Sequence, residues 1–177
     1  ENDFDPNQFR SSGQLRGIKR DMYEGGIRVP LIAVWPGRIQ PGTTCGQSAA
    51  FYDIMATCAD AAGIDAPADT DGLSLLPMML GGESTQHDHL YWELQVSFEA
   101  ENHRQGVRLG DWKGVRYGVG EPLELYNLAS DPLETRDVAD KHPERLDAIE
   151  RLMQSESHPV PYFPHAGHKG MPNEQTN

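Results

Sequence analysis

The chain has 177 residues, with 15 Lys and Arg against 27 Asp and Glu, for a formal charge of −12. That acidity argues against non-specific nucleic-acid binding and against attraction to anionic lipid, both of which need an excess of Lys and Arg. An apolar fraction of 37%, with 18 Gly and 13 Pro, points to a loop-rich chain of one domain, or one domain with an appendage; no apolar run approaches the ~20 residues of a membrane span, and two cysteines make no disulfide framework.

The opening Glu1-Asn2-Asp3-Phe4-Asp5-Pro6 has no initiator Met, no basic region and no apolar stretch of a signal peptide. It reads as the interior of a longer polypeptide. The first 26 residues are polar and glycine-punctuated, which predicts loop. Arg28–Trp35 (RVPLIAVW) is a short apolar, β-branched run stopped by Pro36-Gly37, the pattern of a strand buried on both faces in a parallel sheet. Asp53–Ala62 reads as a helix capped by Asp53, with Ile54, Cys58 and Ala62 as its apolar stripe and Gly63 just past its end. On that reading Cys58 is a small buried hydrophobe and Cys45, in TTCGQ, a loop thiol. Leu73–Leu80 (LSLLPMML), interrupted by Pro77, fits a short buried helix or turn ending at Gly81-Gly82.

From His87 the pattern changes. His89–Leu94, Gln105–Leu109, Trp112–Tyr117 and Leu123–Leu128 are four short strand-like runs, and Gly110-Asp111 has the chemistry of a tight hairpin turn. Together they predict an antiparallel meander. Pro143–Gln154 is an amphipathic helix with Pro143 in the first position and Leu146, Ile149, Leu152 and Met153 on one face, suited to cover one side of that sheet. From Ser155 the chain is Pro, His, Gly and polar residues, with Tyr162 and Phe163 as its only anchors, which predicts a tail.

Composition and spacing alone deliver no active site. There is no GxSxG, P-loop or GxGxxG, and no metal-spaced His/Cys set. His87 and His89 form an H-x-H pair that reads as a surface turn, and His165 and His168 lie in the tail. Lys19 stands out because Glu24-Gly25-Gly26 follows it, permitting a sharp reversal before an apolar run. A lysine held at such a loop can present its ammonium to an oxyanion.

The stretch LRGIKRDMYEGGIRVPLIAVWPGRI closely resembles the later half of the formylglycine-dependent sulfatases, arylsulfatase-like members of the alkaline phosphatase superfamily. DGLSLLPMMLGG, HLYWEL, QGVRLGDWKGVR and LELYNLASDPLETRDVADKHPE continue the likeness in order, from about Leu15 to Glu144. The resemblance implies an α/β fold: residues 1–86 as the end of a large catalytic sheet, 87–154 as a small four-stranded antiparallel (α+β) subdomain with its helix, and 155–177 as the tail. It implies that Lys19, five residues before the Glu of the EGG turn, contacts a sulfate oxygen and offsets charge on the leaving group. It places Trp92, Glu93 and Arg104 as substrate contacts, and Glu24 with Arg28 as a pair holding the turn.

It also implies calcium and a formylglycine nucleophile in the whole enzyme, neither carried by residues of this chain. Cys45 is followed by Gly-Gln-Ser and Cys58 by Ala-Asp-Ala, so neither matches Cys/Ser-x-Pro-x-Arg, and no metal-binding residue is assigned. The chain is therefore expected to be the C-terminal fragment of an exported sulfatase (periplasmic, extracellular or lysosomal) acting on sulfated glycans or small sulfate esters. As a fragment it is expected to be inactive alone and to need the N-terminal half of the same protein. Expressed without that half, it is expected to expose apolar surface from Val29 to Trp35. The alternatives are a phosphodiester or phosphonate ester hydrolase of the same superfamily and a non-catalytic carbohydrate-binding module.

Overall fold

The computed structural model describes residues 9–95 and 100–158. Two compact units divide the chain: residues 9–28 together with 91–158, and residues 29–90. The tail anchors Tyr162 and Phe163, like His165 and His168, lie outside the described residues.

The first unit is built on a four-stranded sheet in the order β1 (Leu90–Gln95), β2 (His103–Leu109), β3 (Trp112–Tyr117) and β4 (Glu124–Asn127). All four strands fall where alternation and turn chemistry place them. β2 and β3 pair antiparallel with Leu109 opposite Trp112, so Gly110 and Asp111 form the predicted two-residue turn, with Gly110 at φ +60°. β3 and β4 pair antiparallel with Gly114 opposite Leu125 and Lys113 opposite Tyr126.

Because side chains alternate across a strand, this sheet has two distinct faces, and both are covered. On one lies α4 (Pro143–Glu156), whose Ile149 and Met153 are fully buried against Val107, Leu123 and Leu125. Each such side chain contributes roughly 1.5–3 kcal/mol by leaving water. The helix comes so close that a Cβ at Gly114 would sit 2.4 Å from the Ile149 Cγ2, which is why that strand position carries no side chain. The opposite face is covered not by a second helix but by residues 15–28. There Met22 and Tyr23 pack on Val115 and Tyr126, with Trp92, Leu94 and Tyr117 around them.

The second unit differs from the sequence reading in three ways. Arg28–Trp35 forms no strand; it is irregular, with Val29, Leu31, Ile32 and Val34 exposed, Ile32 and Val34 above 80%. Its unbroken apolarity answers a need for cover on both faces, and no described strand pairs with it to form a ladder. The helix α2 (Asp53–Ala62) is present and ends at Gly63 with φ +71°, but Tyr52 holds the capping position and makes no side-chain cap. Asp53 is instead fully buried and collects the amides of Ala50 (2.8 Å) and Leu73 (2.9 Å) and the Nε2 of His87 (2.7 Å). His87 is thus a partner of a buried carboxylate rather than a free surface turn. This rotates the buried face to Asp53, Ala56, Thr57 and Ala59, leaving Cys58 exposed and Ile54 only half-buried. Pro77 lies in the first turn of the short helix α3 (Leu76–Met79), where its missing N–H costs nothing, so it starts that helix rather than interrupting it. None of the α3 residues is buried; Leu75, just before it, is.

Candidate functional site

The segment from Leu15 to Arg28 is a chain of turns whose shape is set by its own glycines. A Cβ on Gly25 would sit 2.3 Å from the Gly17 carbonyl oxygen, and one on Gly26 would sit 2.2 Å from that of Asp21. The one-turn helix α1 (Glu24–Ile27) therefore serves as a seat on which the preceding loop rests. The Gly25 amide donates to the Arg16 carbonyl at 2.7 Å.

Lys19 and Arg20 occupy the tip of that loop. The Asp21 amide donates to the Ile18 carbonyl (2.9 Å), the Ile18 amide donates to the Asp21 Oδ2 (2.8 Å), and Arg20 has φ +80°. These are the features of a type II turn with Lys19 in its second position. The turn is tied to the sheet beneath. Arg104 donates from Nη1 to the Arg20 carbonyl (2.7 Å) and pairs with the Asp21 Oδ1 (3.4 Å), while Tyr117 donates to the same oxygen and accepts from the Met22 amide. Both neighbours of Lys19 are thus held, and Lys19 itself is exposed, with no hydrogen bond or ion pair among the described residues. Beside it lies an open depression of about 350 Å³ lined by Arg10, Ser12, Gly13, Leu15, Gly17, Ile18 and Asp21.

Two polar clusters anchor the loop from below. Arg16 donates to the hydroxyls of Tyr126 (2.6 Å) and Tyr23 (2.9 Å) and lies 3.7 Å over the Tyr23 ring, and both phenols in turn donate to Glu124. Burial, reinforced by the Glu124 carboxylate, pushes both phenols well above the usual tyrosine range, so they remain neutral donors. Deeper down, the fully buried Lys113 ammonium lies 2.9 Å from the Glu24 Oε1 and 2.8 Å from the Glu134 Oε1, and Glu134 also accepts the Glu24 amide at 2.6 Å. Burial pushes the Glu134 carboxyl up, and Lys113 opposes it. Arg28 does meet Glu24, but at 3.6 Å from an exposed position; the main partner of Glu24 is Lys113.

The residues singled out from sequence divide between the faces of the sheet. Arg104 and Trp92 share the loop face, Arg104 directly beneath the Lys19 turn and Trp92 packed beside Met22 and Tyr23. Glu93 faces α4, 2.5 Å from the His103 Nε2 and hydrogen-bonded by Tyr91 and Ser157. Sequence reasoning passed over Arg16, Lys113 and Glu134. A lysine between Trp112 and Gly114 on a buried strand was the one visible signal. Among the described residues no three His, Cys, Asp or Glu side chains gather as a metal site would require, and both cysteines are exposed outside the sulfatase nucleophile motif. Among the described residues no side-chain group fits calcium, and neither cysteine fits formylglycine.

The chain belongs to the family described as N-sulphoglucosamine sulphohydrolase, C-terminal, which matches residues 18–159. It is 43% identical to N-acetylgalactosamine-6-sulfatase of Canis lupus familiaris over 83% of this chain and 33% of that protein. It is 33% identical to human (Homo sapiens) arylsulfatase A over 80% and 32% of the two chains. Among solved structures, Ps i-CgsB matches with a TM-score of 0.68 at 25% identity over 80% of this chain and 31% of that one. A phosphonate monoester hydrolase of Silicibacter pomeroyi shares the fold, with a TM-score of 0.57 at 23% identity over 68% and 27%. The chain spans about a third of the length of the curated relatives it matches.

Proposed function

We propose that this chain is the C-terminal part of a sulfate-ester hydrolase and that Lys19 is its catalytic contribution. The observation that carries this reading is the turn itself: an exposed ammonium with no ion pair among the described residues, flanked by residues hydrogen-bonded to the loop and the sheet, in a family of sulfatases. Cleaving a sulfate ester builds negative charge on the bridging oxygen. A cation already fixed where that charge appears stabilises it without reorganising during the reaction. Arg104 positions Lys19 by holding the Arg20 carbonyl and the Asp21 carboxylate. The substrate class is a sulfated sugar, a reading supported by the likeness to N-acetylgalactosamine-6-sulfatase and by a structure of Ps i-CgsB in complex with a neocarrahexaose. The nucleophile and any metal are not assigned to residues of this chain.

The test is Lys19→Ala in the complete gene product, assayed on a chromogenic aryl sulfate and on a sulfated hexosamine. Loss of one preorganised charge-stabilising donor lowers kcat by roughly 100- to 1000-fold, while the urea midpoint stays at the wild-type value because the side chain is exposed. Unchanged kcat on both substrates refutes the assignment.

A further inference from the structure

The two cysteines both lie within residues 29–90 but in different surroundings. Cys58 lies on the exposed side of α2, whereas Cys45, in the loop before that helix, faces α3. The Cys45 thiol donates to the Met78 Sδ at 3.0 Å, and the Gln47 amide donates to the Cys45 Sγ at 3.3 Å. The fold brings these sulfurs together from 33 positions apart and supports both sides of the contact. Met78 stands in α3 just after the buried Leu75, whose amide donates to the Thr57 hydroxyl of α2 at 2.9 Å. On the other side, the Gln47 side-chain amide reaches the Thr85 carbonyl at 3.5 Å. This is no core contact. Cys45 is exposed and Met78 half-buried, so an ion arriving from solvent reaches both sulfurs.

We infer that Cys45 and Met78 form a binding site for a soft monovalent cation, Cu(I) or Ag(I). A thiolate beside a thioether is the donor pair such ions select, whereas calcium and magnesium take oxygen. On binding, the Cys45 S–H bond gives its proton to solvent and a metal–thiolate bond replaces it. Met78 adds a lone pair from Sδ, and no atom changes oxidation state. Two sulfurs about 2.3 Å from one ion, at an angle of about 120°, stand about 4 Å apart, so the pair opens by about 1 Å as the exposed thiol turns outward. The Gln47 amide then donates to a charged sulfur, which strengthens that hydrogen bond. The inference does not rest on the role of Lys19.

The test uses the 177-residue chain carrying Cys58→Ser, so that Cys45 is its single thiol, with Ag(I) in chloride-free buffer and Cu(I) against a chromogenic chelator as probes. With methyl-labelled methionine, the first equivalent of Ag(I) is expected to move the Met78 methyl resonance ahead of the other methionines and to protect Cys45 from alkylation by iodoacetamide. The Met78 signal is identified by its loss in Met78→Leu. A second donor held on the same scaffold acts at high effective concentration, so Met78→Leu is expected to weaken Cu(I) binding by roughly 10-fold or more. Cys45→Ser with Cys58 restored is expected to bind no more tightly than Met78→Leu. A Met78 methyl unmoved by the first equivalent overturns the inference without recourse to any variant. So does a Met78→Leu chain that binds Cu(I) as tightly as its parent, or a Cys58 thiol that binds as tightly as Cys45, since either outcome reduces the site to an ordinary exposed thiol.

Discussion

Lys113→Met tests whether the Lys19 loop is held to the sheet by the buried charges beneath it. The wild-type lysine is fully buried, 2.9 Å from Glu24 and 2.8 Å from Glu134, and both carboxylates are themselves out of water. Methionine fills nearly the same volume, so packing changes little while one positive charge disappears between two negative ones. Removing one partner of a buried ion pair costs about 3–5 kcal/mol, chiefly because an uncompensated charge stays behind. Arg28 offers little relief, since an exposed pair of that kind contributes no more than about 1 kcal/mol. Against a domain stability of about 5–15 kcal/mol, the loss is large.

The pH dependence separates this mechanism from a simple packing defect. Burial already pushes the Glu134 carboxyl upward, and without Lys113 only the hydrogen bond from the Glu24 amide opposes that rise. A carboxyl whose folded pKa exceeds its unfolded value binds more protons in the native state. Stability then increases as pH falls through the folded value. Lys113→Met should accordingly recover part of its deficit as pH falls from neutrality toward the unfolded glutamate value of about 4.3, and Lys113→Met/Glu134→Gln should recover part of it at every pH. Urea titrations followed by the fluorescence of Trp92 and Trp112, both in the sheet unit, read this directly. A single variant within about 1 kcal/mol of wild type at pH 7.5, or one no more stable at pH 5, refutes the reasoning.

Gly25→Ala places a methyl 2.3 Å from the Gly17 carbonyl oxygen, so the loop must lift; overpacking of this kind costs about 1–3 kcal/mol, read as a lower urea midpoint, whereas Gly13→Ala, with open space at its Cβ, shows only the smaller backbone cost of its positive φ. The phenols of Tyr23, Tyr117 and Tyr126 are all pushed up, chiefly by burial. Their contribution is present below the unfolded tyrosine value of about 10 and is lost as pH rises beyond it, so the urea midpoint should fall between pH 9 and 11, and less steeply in Tyr23→Phe/Tyr126→Phe. Asp131 behaves oppositely. Burial, the largest single influence, raises its carboxyl, but the amides of Thr135 and Arg136 and the Thr135 hydroxyl together outweigh it and hold the group low. Its contribution is present above the unfolded aspartate value and lost as pH falls through the folded one, so wild type and Asp131→Asn should differ in midpoint at pH 7 and converge as pH falls below the unfolded aspartate value.

What the sequence disclosed follows from the range of the forces involved. The strands and α4 were legible because alternation, a two-residue Gly-Asp turn and a helical stripe are local signals, and here local preference agrees with packing. The run Val29–Val34 forms no strand because its apolarity reports a need for cover and no described strand supplies a ladder; its exposure is the one expected of the chain without its other half. The face of α2 was misread because Asp53 looks like a cap, and only the fold brings Leu73 and His87 to it. In the candidate site the Gly-Gly pair advertised the turn. The residue that grips the turn, however, is Arg104, 84 positions from the carbonyl it holds. No periodicity carries information over that distance.

The two-faced sheet explains why the exposed Lys19 turn depends on the strands beneath it. Residues 15–28 contain one four-residue helix and otherwise turns, and a loop of that kind cannot hold a side chain steady in water. Its fixity is borrowed from β2, β3 and β4 through Arg104, Tyr117, Lys113, Tyr126 and Glu124, all on the loop face of the sheet. Those strands are in turn held flat by α4 on the other face, where Ile149 presses on Gly114. Any substitution that loosens α4, such as Ile149→Ala, therefore acts on Lys19 through two layers of packing. It should lower the precision of the turn before it abolishes the fold, with kcat falling in the complete enzyme at temperatures where the urea transition of the sheet unit is still intact.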